Sequence, residues 1–149
     1  MAIARGAGTE IIRSAMFEDI DSTDTKLIIG VQHHIYTILS VTIHCIALQT
    51  ATNTFNMSFG AYDSKAGTTA QGIIILKQLV PAGDTFVWND KFSFNGHEPT
   101  DFTGPMDDAT KQDAIADQGS SVSQYLKCNG EEANDNFEVT ITYIDQNNA

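Results

Sequence analysis

Cations are scarce in this sequence. Its 149 residues include 8 lysines and arginines against 19 acidic residues, a formal net charge of −11 at pH 7, and no two of the eight are adjacent. A surface that tracks phosphates needs clustered cations, so this composition argues against nucleic acid as a partner. Cysteine is equally sparse. Cys45 and Cys128 both sit in apolar, strand-like surroundings, which predicts two reduced, buried thiols rather than a disulfide framework. A chain of this length buries roughly 70% of the surface of its unfolded form and needs no covalent staple. No apolar run approaches the roughly 18 residues of a membrane span. The opening stretch MAIARGAGTEIIRS lacks the apolar centre of a signal peptide. The expectation is one domain over residues 1–149, without a membrane partner, made and kept in the cytosol until an assembly forms.

Charge of either sign is thin as well. Charged residues make up 18% of the chain, where about 25% is usual. Thr, Ser, Asn and Gln take their place. Such surfaces suit packing against other subunits, because no ion has to be desolvated.

The signatures of catalysis are also missing. The sequence contains no G-x-S-x-G, no H-E-x-x-H, no C-x₂-C, no phosphate loop and no dinucleotide fingerprint. FEDIDSTD gathers Glu18, Asp19, Asp21 and Asp24, but it lacks the central glycine and terminal bidentate glutamate of a calcium loop. No catalytic residue, cofactor site or metal site can be nominated, and the expectation is a protein that is not an enzyme.

What is present is alternation. In GVQHHIYTILSVTIHCIAL (Gly30–Leu48) the odd positions from Val31 to Cys45 are largely apolar and the even ones mixed, the period of a half-buried strand. Phe137, Val139, Ile141 and Tyr143 alternate with Glu138, Thr140 and Thr142 in the same way. TFNMSFGAY and VSQYLKCN are further strands. GIIILKQLV, a continuous apolar run, reads as a strand buried on both faces. DTFVWNDKFSFNG reads as two strands across a turn at Asn89-Asp90. One segment is helical, MDDATKQDAIADQG, with Asp107 or Asp108 as N-cap and Gly119 as a stop. It lies in a long insertion, His97 to Ser121. These elements predict an all-β fold, an antiparallel β-sandwich of jelly-roll or immunoglobulin-like type, with seven to nine strands and one short helix near Met106–Gln118. Its expected core includes Ile35, Leu39, Val41, Ile43, Phe86, Trp88, Val139 and Ile141.

Gly30–Leu48 also carries three of the four histidines and one of the two cysteines. Neighbouring side chains of a strand point to opposite faces, so His33 and His34 cannot share an ion, nor can His44 and Cys45. His34 and His44 share a face but lie about 33 Å apart along a strand. The imidazoles are read as core or interface groups.

The first residues invite a separate reading. ARGAG has two glycines within three positions and no apolar periodicity, so it cannot hold itself in place. EIIRSAMF follows with Ile11, Ile12, Met16 and Phe17. A flexible lead before apolar anchors suits a strand that orders on docking, so residues 1–13 are read as an intersubunit arm. The alternative is an ordinary first strand within the same subunit.

VPAGDTFVWNDKFSFNG (Val80–Gly96) resembles a pattern common in small β-sandwich virion proteins of tailed bacteriophages. In that pattern an apolar strand ends, a Pro-x-Gly turn follows, and a second strand carries a Lys or Asp pair. MAIARGAGTEIIRS, VQHHIYTILSV and ITYIDQNNA are also similar to small structural proteins of marine and cyanobacterial phages. The likeness extends along most of the chain, and its motifs are structural. It breaks at HEPTDFTGPMDDATKQDAIADQGS, where the pattern would continue into another strand. The resemblance implies a non-enzymatic virion component without a cofactor. The favoured role is a capsid decoration (cement) protein, with a tail, neck or baseplate component second. A module of another class, binding carbohydrate or a receptor through aromatics such as Tyr62 or Trp88, is the third. Implied partners are copies of the chain itself, a trimer being the favoured order, and the major capsid protein or other virion proteins. The implied location is the virion, assembled in the host bacterial cytoplasm. Arg5 and Arg13 would make bidentate contacts to acidic capsid residues, and Ile11, Ile12 and Phe17 would complete the interface.

Overall fold

The computed structural model describes residues 9–99, 103–118 and 121–147. Two antiparallel sheets dominate them. The first has the order β1-β11-β3, from β1 (Thr9–Ile20), β11 (Asn136–Asn147) and β3 (His34–Ala47), with β6 (Thr85–Trp88) and β7 (Phe92–Asn95) both along the far side of β3. The second has the order β2-β10-β4-β5, from β2 (Thr25–Ile29), β10 (Tyr125–Asn129), β4 (Phe55–Asp63) and β5 (Thr68–Gln78). One core joins them. Val41, Ile43, Val139 and Ile141 of the first sheet share it with Phe55, Met57, Leu126 and Cys128 of the second. The chain is an all-β sandwich, as its alternation requires. The described residues hold eleven strands rather than seven to nine: Thr25–Ile29 and His97–Pro99, not read as strands from the sequence, add two, and VSQYLKCN splits into two.

The long insertion supplies a small ribbon, β8 (His97–Pro99) with β9 (Ser121–Ser123), and helix α1 (Ala109–Asp117) between them. Of the two expected caps, Asp108 is the one used: its carboxylate accepts from the Lys111 N–H at 2.9 Å. Gln118 closes it in the left-handed region, with its N–H bonded to Ala114 O. Gln118 is itself buried, and it accepts hydrogen bonds from the Gln32 side chain and the His33 N–H. This one residue ties the end of the helix to the turn before β3.

Strand β3 departs from the expected phase. Thr142 pairs with Ser40 while Tyr143 pairs with Ile38, so Leu39 is an extra residue, a β-bulge. With a side-chain period of two, one extra residue moves every side chain before it to the other face. Tyr36 and Ile38 are therefore buried, and Ile35 and Leu39, expected in the core, are only half-buried. Past the bulge Val41, Ile43 and Cys45 keep the expected face. The neighbouring strand breaks at the same level. β6 pairs with Val41–His44 and β7 with Ile35–Ile38, so Asn89–Lys91 interrupts one edge line and does not turn a hairpin. Phe86 and Trp88 pack against the core from this edge, half-buried.

Two further expectations change. GIIIL does not lie buried on both faces: β5 is the outermost strand of its sheet, with Ile73 66% and Ile74 57% exposed. The arm reading of residues 1–13 does not hold for 9–13. Thr9 pairs with Asn147 and Arg13 with Tyr143 of the same chain, the ordinary first strand. Residues 1–8, Arg5 among them, lie outside the described residues.

Candidate interaction surface

The histidines take separate partners. His44 Nδ1 lies 2.9 Å from Thr85 Oγ1 on the outside of the first sheet, and His97 Nδ1 lies 3.0 Å from Ser121 Oγ in the β8–β9 ribbon. His33 sits in the turn before β3 with φ of 66°. Burial, and after it the neighbouring His33, holds His97 below the ordinary imidazole range. His34 Nδ1 is 2.6 Å from Asp145 Oδ1.

Asp145 is the residue that reading by alternation missed. It follows Val139, Ile141 and Tyr143 on the inward phase of β11 and is buried. A buried carboxylate needs a charged or hydrogen-bonding partner. Here Arg13 Nε donates to Oδ2 at 3.1 Å while His34 serves Oδ1. An acid on an apolar phase was the available signal. Its two partners were not readable, being 132 and 111 residues away. Arg13, expected to reach a partner molecule, has its Nε committed inside its own chain. Phe17 packs against the core, half-buried. Ile11 and Ile12 are exposed at 43% and 69%.

Ile12 belongs to a broader surface. β1, β11, β3 and the β6–β7 line bring the outward positions of the first sheet into rungs: Ile12–Ile144–Thr37–Ser93, Ser14–Thr142–Ser40, and Met16–Thr140–Thr42–Val87. None of these side chains ionises, in a chain of net charge −11. Hydroxyls bridge the strands, Ser14 Oγ to Thr142 Oγ1 at 3.1 Å and Thr37 Oγ1 to Ser93 Oγ at 3.0 Å. Met16 and Val87 are exposed at opposite ends of one rung. Charge returns at the margins, with Glu10 in the rung beyond Ile12 and Glu138 beside His44. From strand and residue spacings, the neutral field measures about 14 Å by about 14 Å.

A second feature lies at the β4–β5 end of the sandwich. A cavity of about 460 Å³ is lined by Phe59, Tyr62, Asp63, Ile73 and Glu98 among others. Burial raises the Glu98 carboxyl above its usual range, against hydrogen bonds from Tyr62 N–H and Gln124 that lower it. Tyr62 is buried and Trp88 half-buried against the core, so neither stands out as an aromatic platform.

No family model matches the sequence, and no curated protein matches it. Among solved structures, the chain is similar to a Bacillus endospore appendage protein, described as belonging to a family of disulfide-linked pili. The identity is 11%, the TM-score 0.43, and the match covers 100% of this chain and 97% of that one. It is also similar to the CBM22-1–GH10 modules of Clostridium thermocellum xylanase 10B complexed with xylohexaose, at 14% identity and a TM-score of 0.45. That match covers 92% of this chain but only 24% of the xylanase chain. Neither likeness is close enough to assign a role.

Proposed function

We propose that this chain is a non-enzymatic structural protein of a tailed-bacteriophage particle, seated on the outside of the capsid as a decoration protein. One observation carries the reading: the uncharged hydroxyl field on the outer face of the first sheet. An acidic protein that must lie flat on a protein shell needs a contact area from which no ion is stripped of water. The field offers hydroxyls for hydrogen bonds and apolar contacts from Ile12, Met16 and Val87. The resemblance of Val80–Gly96 to phage virion sandwiches supports the same role.

The size of the field sets the mode of attachment. About 200 Å² is far below the roughly 800 Å² per partner of a stable interface. A single subunit would hold weakly, and attachment would rest on several linked copies. Mass spectrometry of purified particles tests the reading. A copy number comparable with that of the major shell protein is expected. A count matching a single ring would place the chain in the neck or tail, and absence from the particle would remove the proposal.

A further inference from the structure

The sandwich has four sheet edges at which two copies can join. β1 carries Glu10, Arg13, Glu18 and Asp19. β2 is five residues long, bears Lys26 and is bulged opposite β10. The β6–β7 line is interrupted at Asn89–Lys91, where Asp90 and Lys91 sit. β5 differs from all three. From Thr68 to Leu76 it contains no ionisable residue and no proline. Its far side has no strand partner among the described residues, and Ile73 and Ile74 are 66% and 57% exposed.

Such an edge is a template for another strand. Short length, charge, proline and bulges are the usual means of blunting an edge, and β5 has bulges and a single charge, Lys77, near its end. Leu76 pairs with Met57 and Ile74 with Ser58, which makes Ile75 a bulge. A second shift falls between Thr68 and Gln71, and the four residues Gln71 to Ile74 remain in unbroken register with β4.

We infer that β5 is the self-association edge of this protein, pairing antiparallel with β5 of a second copy about a twofold axis near Ile73–Ile74. Electrostatics selects the occupant. Two chains of net charge −11 repel wherever their acidic surfaces meet, and β5 is the long edge on which they can meet without juxtaposing like charges. With Ile73 or Ile74 on the axis, Lys77, the one cation of the strand, falls opposite Thr69 or Gln71 of the second copy, both neutral. A twofold edge contact uses the same strand on both sides and closes on itself. It yields a dimer, in place of the trimer implied by the resemblance, with an eight-stranded sheet running through both copies. This inference does not rest on the capsid role, because it concerns the chain in solution.

Light scattering on the purified full-length chain, coupled to size exclusion, is the test. The expected mass is twice the 16.2 kDa of one chain, and a concentration-independent monomer overturns the inference. Ile74→Lys places two cations across the axis and should return the mass to one chain with an unchanged melting temperature. Persistence of the dimer in both Ile74→Lys and Ile73→Lys overturns the inference. A cross-link gives an independent readout. Cys45 and Cys128 are buried, so a mild oxidant should capture Ile73→Cys or Ile74→Cys as a covalent dimer while leaving the parent chain unlinked. Failure of both variants to link overturns the pairing.

Discussion

His34 and Asp145 grip each other across the β3–β11 pair, Nδ1 to Oδ1 at 2.6 Å, while the second carboxylate oxygen takes Arg13 from β1 at 3.1 Å. One buried acid therefore links three consecutive strands of the first sheet. Asp145→Asn should cost roughly 1–3 kcal/mol, because a charged acceptor is lost and an amide N–H is turned toward donors. Arg13→Ala should cost about 1 kcal/mol or less, since its side chain is 48% exposed and water replaces the partner. Urea unfolding of both variants checks the order. An equal loss for the two would show that His34 adds nothing.

The bulge in β3 makes an unusual pair of neighbours. Ile38 is fully buried and Leu39 is not. Ile38→Ala should lose roughly 2–5 kcal/mol. Leu39→Ala should lose about 1 kcal/mol, for partial burial alone. The two denaturation midpoints decide, and a reversed order would return Leu39 to the core and erase the bulge.

Gly30 and Gly96 lie where three backbone segments converge. Gly30 N donates to Gln124 O, Gln124 N to Gly96 O, and Gly96 N to His34 O, at 2.7 to 2.9 Å. A Cβ on Gly96 would stand 1.8 Å from Val31 O, and one on Gly30 would stand 2.0 Å from Gly96 O. Backbone cannot swing aside as a side chain can. Gly96→Ala should cost about 3 kcal/mol or abolish soluble expression, whereas Gly83→Ala, with open space around it, should be limited to about 1 kcal/mol for its positive φ. Thermal melts of the two variants separate the causes.

Asp135 should contribute to the loss of stability in acid. Burial raises its pKa, but the N–H groups of Gln49, Glu132 and Glu131 and the amide of Asn53 outweigh burial and hold the carboxyl below its usual range. The folded state then binds this proton less readily than the unfolded chain does. The stability it contributes is complete above about pH 4, the unfolded value, and is lost as pH falls through the lower folded value. Asp135→Asn should be less stable than the parent by roughly 1–3 kcal/mol at pH 7, and the gap should narrow as pH falls below about 4. A constant gap across that range would separate Asp135 from the acid limb.

The two thiols should be silent in the folded protein. Burial, with a smaller push from Asp24, raises the Cys128 thiol to about 12. Burial also raises Cys45, which has no exposed surface. The thiolate is the reactive form. An aromatic disulfide reagent at pH 8 should find no thiol in the native chain and two after denaturation. Rapid native titration of either would mean that the sandwich opens locally near it.

The sequence alone determined what depends on local period and local chemistry. Phe137, Val139 and Ile141 alternate with polar residues, and they are buried because a strand has only two faces. Asp108 caps the helix because an aspartate before an alanine-rich run can reach the free N–H groups. His44 and Cys45 diverge by the same two-faced geometry, whereas His33 lies in the turn before β3 and falls outside it. Tertiary structure decided what depends on which strand lies beside which. No local pattern marks Leu39 as the residue without an opposite number, since the bulge exists only against Tyr143 and Thr142. Ile73 and Ile74 look like core by composition and are exposed because β5 received no outer neighbour. Arg13 and His34 meet Asp145 only once β1 and β3 flank β11. The neutral field has the same origin: Ser14, Thr142 and Ser40 are scattered along the chain, and only lateral hydrogen bonding of three strands sets them in one row.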